Sequence, residues 1–147
     1  IARALLDHRE LRVVTNNLNV ASILTAKDDF TVIIAGGEIR NRDGGIVGEA
    51  TRDFIGQFRM DYGVIGISGI DNDDSLLDFD YHEVKIAQAI IAHSRQVFLA
   101  ADHTKFGRNA MVNLGNLNQI HALFTDQEPP EKLMRLMSQH QIACHIC

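Results

Sequence analysis

Residues 83–107 read EVKIAQAIIAHSRQVFLAADHTKFG and contain the signals that decide the fold. Apolar side chains in Glu83–His93 recur at spacings of three and four, which predicts an amphipathic helix. The short apolar run Gln96–Ala101 predicts a buried strand. Asp102–Gly107 is polar and ends in glycine, so it predicts a loop. A helix, a strand and a loop in succession are typical of an α/β fold.

The same alternation runs through the rest of the chain. The predicted strands are Leu11–Thr15, Thr31–Ala35, Asp61–Ile67, Gln96–Ala101, His121–Thr125 and a tail from Ile142. The predicted helices are Asn17–Lys27, Glu49–Phe58, Glu83–His93 and one that begins at Pro130. Several strands are almost continuously apolar, as expected where helices cover both faces of a parallel sheet. The sequence therefore predicts an α/β fold with a mainly parallel sheet flanked by helices.

Length and composition fit one globular domain. The chain has 147 residues, of which 46% are hydrophobic and 22% charged. Fourteen Lys and Arg against nineteen Asp and Glu give a net charge of −5, the opposite sign from a domain that grips DNA phosphates. No apolar run is long enough to span a bilayer, so no membrane partner is expected. Because the sequence does not begin with Met, we expect it to be part of a longer chain.

No cofactor or metal signature is found. Cys144 and Cys147 form a C-x-x-C on the predicted terminal strand, where side chains three apart point to opposite faces. They are predicted to be reduced thiols, which favours the cytoplasm. The aspartates of residues 71–80 lack the glycine and glutamate of a calcium loop, so this segment is predicted to be a solvated acidic loop. Dinucleotide and P-loop fingerprints are also missing.

Polar or glycine-rich segments follow four of the predicted strands. They are Thr15-Asn16-Asn17, Gly36-Gly37-Glu38, Ser68-Gly69 and Asp102–Gly107. In an open α/β sheet, ligands bind at the carboxyl ends of the strands, so the four together predict a pocket for a small polar ligand. Each segment alone is more often a plain turn or a helix cap than a ligand site. Lys105 could neutralise a phosphate or be a solvated lysine, and Glu83 could simply stabilise a helix start.

Four stretches carry a family resemblance. They are residues 42–51 (RDGGIVGEAT), 66–71 (GISGID), 79–84 (FDYHEV) and 102–113 (DHTKFGRNAMVN). Together they resemble the sensor domain of DeoR-family transcription repressors, and the likeness runs over essentially the whole chain in order.

The resemblance implies a fold similar to ribose-5-phosphate isomerase and related sugar-phosphate isomerases. It also implies that residues 1–147 form an effector-sensing domain without catalytic activity or cofactor. The expected ligand is a small phosphorylated metabolite, glycerol 3-phosphate for a member with these motifs. Operator DNA would be held by an N-terminal winged helix-turn-helix domain outside this sequence. The first strand of the sensor fold and its D-x-G-[ST]-T phosphate loop are expected before Ile1, and a homodimer or homotetramer is expected.

The family's ligand-facing positions carry over to eleven residues: Thr15, Asn16, Asn17, Gly36, Gly37, Ser68, Gly69, Glu83, Asp102, Lys105 and Gly107. Glycines let backbone N–H groups approach an oxyanion, Asn and Ser bind hydroxyls, and Lys105 neutralises phosphate. Isomerase relatives have a Lys-Gly-Gly-Gly stretch before their catalytic glutamate, whereas residues 79–82 here are bulky. Two alternatives stay open at this point: a sugar-phosphate isomerase or deaminase with Glu83 as base, and a scaffold domain with a vestigial pocket.

Overall fold

The computed structural model describes residues 1–147, which form two compact units, Ile1–Gln57 and Phe58–Cys147. The helices are α1 (Ala2–Leu5), α2 (Leu18–Leu24), α3 (Glu49–Ile55), α4 (Tyr81–Ala92) and α5 (Glu131–Gln139). The strands are β1 (Arg12–Thr15), β2 (Thr31–Ile34), β3 (Glu38–Arg40), β4 (Gly45–Val47), β5 (Met60–Gly66), β6 (Gly69–Ile70), β7 (Ser75–Asp78), β8 (Ser94–Ala100), β9 (Val112–Asn116), β10 (Ala122–Thr125) and β11 (Ala143–Ile146).

The first unit is built on a parallel pair of strands and a hairpin. Strands β1 and β2 pair in parallel, with Thr15 opposite Ile34 at their carboxyl ends. Strands β3 and β4 form an antiparallel hairpin, which is tied to the end of β1 by a 2.6 Å hydrogen bond from Ile46 N to Asn16 O. Leu24, Ile46 and Ile55 are fully or almost fully buried. The hairpin therefore lies directly beside the turn that follows β1.

The second unit contains a four-stranded parallel sheet in the order β11-β10-β8-β5. Its core joins alternate side chains of the strands to the apolar faces of α4 and α5. The core members from these elements are Ile65, Val97, Leu99 and Leu123 of the sheet, with Val84, Ala87, Leu133 and Met137 of the helices. The other face of this sheet carries Tyr62, which is 60% exposed, and a row of aromatic contacts that continues through Phe98 to Phe124.

A smaller antiparallel sheet, β6-β7-β9, completes the second unit. Leu76 and Leu77 of its central strand are buried, and α4 is linked to β9 by a 3.0 Å hydrogen bond from Gln88 Nε2 to Leu114 O. This sheet places the start of β6 next to the end of β7, because Gly69 is opposite Leu77.

The predicted α/β class with a mainly parallel sheet is confirmed. All six predicted strands and all four predicted helices are present, with ends that differ by up to three residues. The small antiparallel sheet and the β3–β4 hairpin were not predicted. None of the five helices combines the length and hydropathy needed to cross a membrane.

Candidate functional site

The eleven predicted ligand-facing residues divide between the two units. Five lie in the first unit: Thr15, Asn16, Asn17, Gly36 and Gly37. Six lie in the second unit: Ser68, Gly69, Glu83, Asp102, Lys105 and Gly107.

The turn after β1 uses its amide side chains to hold the first unit together. Asn17 Oδ1 accepts hydrogen bonds from the backbone N–H groups of Asn19 (3.0 Å) and Val20 (3.1 Å), and so caps α2. Asn17 Nδ2 donates to Asp43 O at 3.1 Å. Asn16 Nδ2 donates to a hairpin carbonyl, Ile46 O, at 3.0 Å. Both ends of the Asn17 amide are therefore engaged by backbone.

The two glycines after β2 differ in their surroundings. The hydroxyl of buried Thr51 lies 2.8 Å from Gly36 O and 3.2 Å from Val47 O. A Cβ added at Gly37, where φ is +155°, would lie 2.2 Å from that hydroxyl oxygen, whereas one at Gly36 would meet nothing within 4 Å. Gly37 is thus required by packing, while Gly36 borders open space.

In the second unit, the loop after β8 lies against the short strand that follows β5. Gly107 N donates to Ile70 O at 2.8 Å, and Phe106 forms a parallel bridge with Ile70. The approach is close enough that a Cβ added at Gly69 would lie 2.0 Å from Arg108 O. The structure therefore brings Ser68, Gly69 and the Asp102–Gly107 loop together, although they are more than 30 residues apart in sequence.

Lys105 ends a single 3-10 turn, His103–Lys105, that is capped by Asp102. Asp102 Oδ1 accepts from Thr104 N at 2.9 Å and from the Thr104 hydroxyl. These hydrogen bonds, with the Lys105 charge nearby, lower the pKa of Asp102 to about 2. Lys105 Nζ lies 3.5 Å from Asp102 Oδ2 and 3.3 Å from Thr104 Oγ1. The ammonium is held in place by an ionised partner, and its three donors leave capacity for a ligand.

Glu83 lies in the first turn of α4, which begins at Tyr81, two residues earlier than predicted. The N-cap of this helix is Asp80, whose Oδ1 accepts from His82 N (2.9 Å) and Glu83 N (3.3 Å). A carboxylate of the chain itself therefore occupies the positive end of α4, and a second anion there would be repelled.

Two residues of this region were missed as ligand candidates. Asp78, assigned by the sequence to a solvated acidic loop, is instead 6% exposed at the end of β7, so that prediction is wrong. Arg108, directly after Gly107, places its guanidinium 5.2 Å from the centre of the Phe79 ring. The sequence does contain a signal for Asp78, because the apolar pair Leu76-Leu77 precedes it, as apolar runs precede the other strand-end candidates.

The fold is mixed α/β with polar groups at the ends of several strands, which is the arrangement expected of a ligand-binding domain. Residues 1–127 match the family model described as the DeoR C terminal sensor domain, and the chain belongs to this family. It is 58% identical over all its 147 residues to the glycerol-3-phosphate regulon repressor of Escherichia coli strain K12, and covers 58% of that protein. Identity to the glycerol-3-phosphate regulon repressor of Haemophilus influenzae is 50% over the whole chain, which covers 57% of it.

A repressor of another name is also similar. The HTH-type transcriptional repressor CsqR of Escherichia coli is 42% identical over 97% of this chain, which covers 54% of that protein. The chain thus spans a little over half the length of the curated relatives it matches. The family resemblance seen in the sequence is confirmed, and the chain is a regulatory sensor domain rather than an enzyme. The alternative with Glu83 as a catalytic base is accordingly not favoured.

Proposed function

We propose that this domain binds glycerol 3-phosphate and that binding releases operator DNA held by a separate helix-turn-helix domain of the same protein. The single observation that carries the proposal is the Asp102–Gly107 loop, where Lys105 is held beside an ionised aspartate and which packs against Gly69 and Ile70. A fixed ammonium with donor capacity left over suits the negative charge of a phosphate monoester. The names of the two glycerol-3-phosphate regulon repressors support the choice of ligand.

Charge distribution supports this placement of the phosphate. Asp80 and Glu83 make the start of α4 acidic, whereas the loop after β8 and the residue that follows it carry two cations, Lys105 and Arg108, against one carboxylate, Asp102. The phosphate therefore binds on the loop, with the hydroxyl groups toward the carboxylates. The predicted role of Thr15, Asn16, Asn17, Gly36 and Gly37 in ligand binding stays a prediction.

Regulation requires that the ligand bind more tightly to the conformation that fits the operator poorly. Coupling is reciprocal, so operator DNA weakens glycerol 3-phosphate binding by the same factor. A homodimer or homotetramer supplies the two DNA-binding domains that two operator half-sites need. The protein acts in the cytoplasm.

The test is fluorescence anisotropy of labelled operator with the full-length protein. Release by glycerol 3-phosphate is expected, and tight ligand binding without release would contradict the mechanism.

Removal of the Lys105 ammonium tests the site directly. Lys105→Met in the full-length protein should weaken glycerol 3-phosphate binding by about tenfold or more, the usual loss for a charged hydrogen bond. Isothermal titration calorimetry measures the affinity. Lys27→Met is the matched control, because Lys27 is similarly covered and also faces an aspartate, Asp29, at 4.0 Å.

The outcomes separate the possible functions. Unchanged affinity in Lys105→Met would remove Lys105 from the site. Absence of binding to the wild-type protein would favour a scaffold domain with a vestigial pocket. Turnover of ribose 5-phosphate or glucosamine 6-phosphate, abolished by Glu83→Gln, would instead establish an enzyme.

A further inference from the structure

Asp78 is a buried carboxylate at the carboxyl end of β7, with only 6% of its surface exposed. Its backbone pairs with Val112 of β9, so its position is fixed by the small antiparallel sheet. Burial of a carboxylate is costly unless its oxygens accept hydrogen bonds. The partners of each oxygen therefore indicate what the residue does.

The two oxygens of Asp78 are used very unequally. Oδ1 accepts three hydrogen bonds, from Ser68 Oγ (3.1 Å), Phe79 N (2.7 Å) and Asp80 N (3.3 Å). Oδ2 accepts none from the protein. Every buried side-chain nitrogen or oxygen that is sealed from solvent has a hydrogen-bond partner, so Oδ2 reaches solvent. A nearly buried side chain thus keeps one accessible oxygen with unused acceptor capacity.

The surroundings of this oxygen indicate the kind of group it accepts. Ser68 and Phe79, which contact Asp78, lie beside the loop of the proposed phosphate site: Gly69 adjoins Arg108, and the Arg108 guanidinium lies over the Phe79 ring. A phosphate would be repelled by the carboxylate. A neutral hydroxyl group would donate to it in a charge-assisted hydrogen bond.

We propose that Asp78 Oδ2 binds a hydroxyl group of the ligand, so that the domain selects phosphate esters of polyols over phosphate esters without free hydroxyls. This assignment rests on the proposed function, because it needs a phosphorylated ligand on the neighbouring loop. It adds the specificity-determining contact that the family's strand-end motifs do not include.

The test compares two ligands of equal chain length and charge, glycerol 3-phosphate and n-propyl phosphate, by calorimetry with the full-length protein. The wild-type protein should bind glycerol 3-phosphate at least tenfold more tightly. Asp78→Asn keeps the Oδ1 acceptor but replaces Oδ2 by an N–H donor. It should weaken glycerol 3-phosphate binding about tenfold and change n-propyl phosphate binding less than twofold. Asp61→Asn removes the same charge from a solvent-exposed position and should change neither.

Each other outcome has a defined meaning. Equal weakening of both ligands in Asp78→Asn would show that Asp78 only closes the turn before α4, and would overturn the assignment. Equal wild-type affinities would overturn it while leaving the proposed function intact. If the wild-type protein bound neither ligand, the proposed function itself would be overturned and the assignment with it.

A measurement on the wild-type protein covers the case in which Asp78→Asn does not fold. The carboxyl ¹³C resonance of Asp78 should shift on addition of glycerol 3-phosphate and stay in place with n-propyl phosphate. The same shift with both ligands would contradict hydroxyl recognition.

Discussion

The turn after β1 and the loop after β8 follow the same local rule with different results. Each contains an Asn or Asp residue that caps the next helical turn: Asn17 caps α2, and Asp102 caps the 3-10 turn that ends at Lys105. Asn17 uses both ends of its amide on backbone. Asp102 uses Oδ1 for the cap and keeps Oδ2 for the ammonium of Lys105. An amide cap therefore becomes part of the scaffold, whereas a carboxylate cap also places a charge.

Among the substitutions that test this comparison, the largest effect is expected at Gly69, because this glycine lets the loop after β8 approach β6. Gly69→Ala would place a Cβ 2.0 Å from Arg108 O, and backbone must move to relieve it. The free energy of unfolding should fall by about 3 kcal/mol, and ligand binding should be lost with the loop geometry. Urea unfolding followed by circular dichroism measures the first effect and calorimetry the second.

Gly66→Ala is the control for this change. Gly66 ends β5, three residues earlier, and a Cβ there would come no closer than 3.9 Å to another atom. If Gly69→Ala were as stable as Gly66→Ala, the close packing of the loop against β6 would be contradicted.

A smaller effect is expected for the scaffold cap of the first unit. Asn17→Ala removes the acceptor for the N–H groups of Asn19 and Val20 and the bond to Asp43 O. Loss of such a cap should lower the free energy of unfolding by about 1 kcal/mol, measured by urea unfolding. Ser22→Ala, on the exposed face of α2, is the control and should change stability little. If Asn17→Ala lowered the free energy of unfolding as little as Ser22→Ala does, the cap would not stabilise α2.

The sequence predicts the elements whose cause is local and misses those whose cause is distant. The strand at Gln96–Ala101 and the helix at Glu83–His93 are apparent because their apolar side chains recur within a few residues. Strand β7, Ser75–Asp78, is not apparent, because it lies in an acidic run and its partners come from β6 and from β9, which is more than 30 residues further on. Its pairing with β9 is set by tertiary contacts.

The candidate site shows the same division. The position of Lys105 after a strand is readable from the sequence, because the carboxyl ends of parallel strands are where ligands bind. The apolar pair Leu76-Leu77 marks Asp78 as a strand-end candidate, but its burial cannot be predicted from the sequence, since it depends on β7 pairing with β9. The use of Asn17 as a cap is one of two readings that the sequence allows, and only the distances to Asn19 and Val20 identify it.

The smallest effect is expected on the pKa of Asp102, the carboxylate cap of the second unit. The Thr104 hydroxyl is the largest cause of the lowered pKa of Asp102, which lies at about 2. Thr104→Val keeps the side-chain shape and the backbone N–H but removes that hydroxyl, so the pKa of Asp102 should rise toward its ordinary value. Because a lowered carboxyl pKa stabilises the fold above the unfolded value of 3.8, this contribution is lost as pH falls from about 4 to about 2.

Carboxyl ¹³C NMR measures the shift in the pKa of Asp102. Asp126, whose pKa is lowered mainly by a hydrogen bond from His103, is an internal control and should not move. An unchanged pKa of Asp102 would mean that the backbone N–H and Lys105 suffice to hold its charge, and that the threonine is not needed to position the lysine.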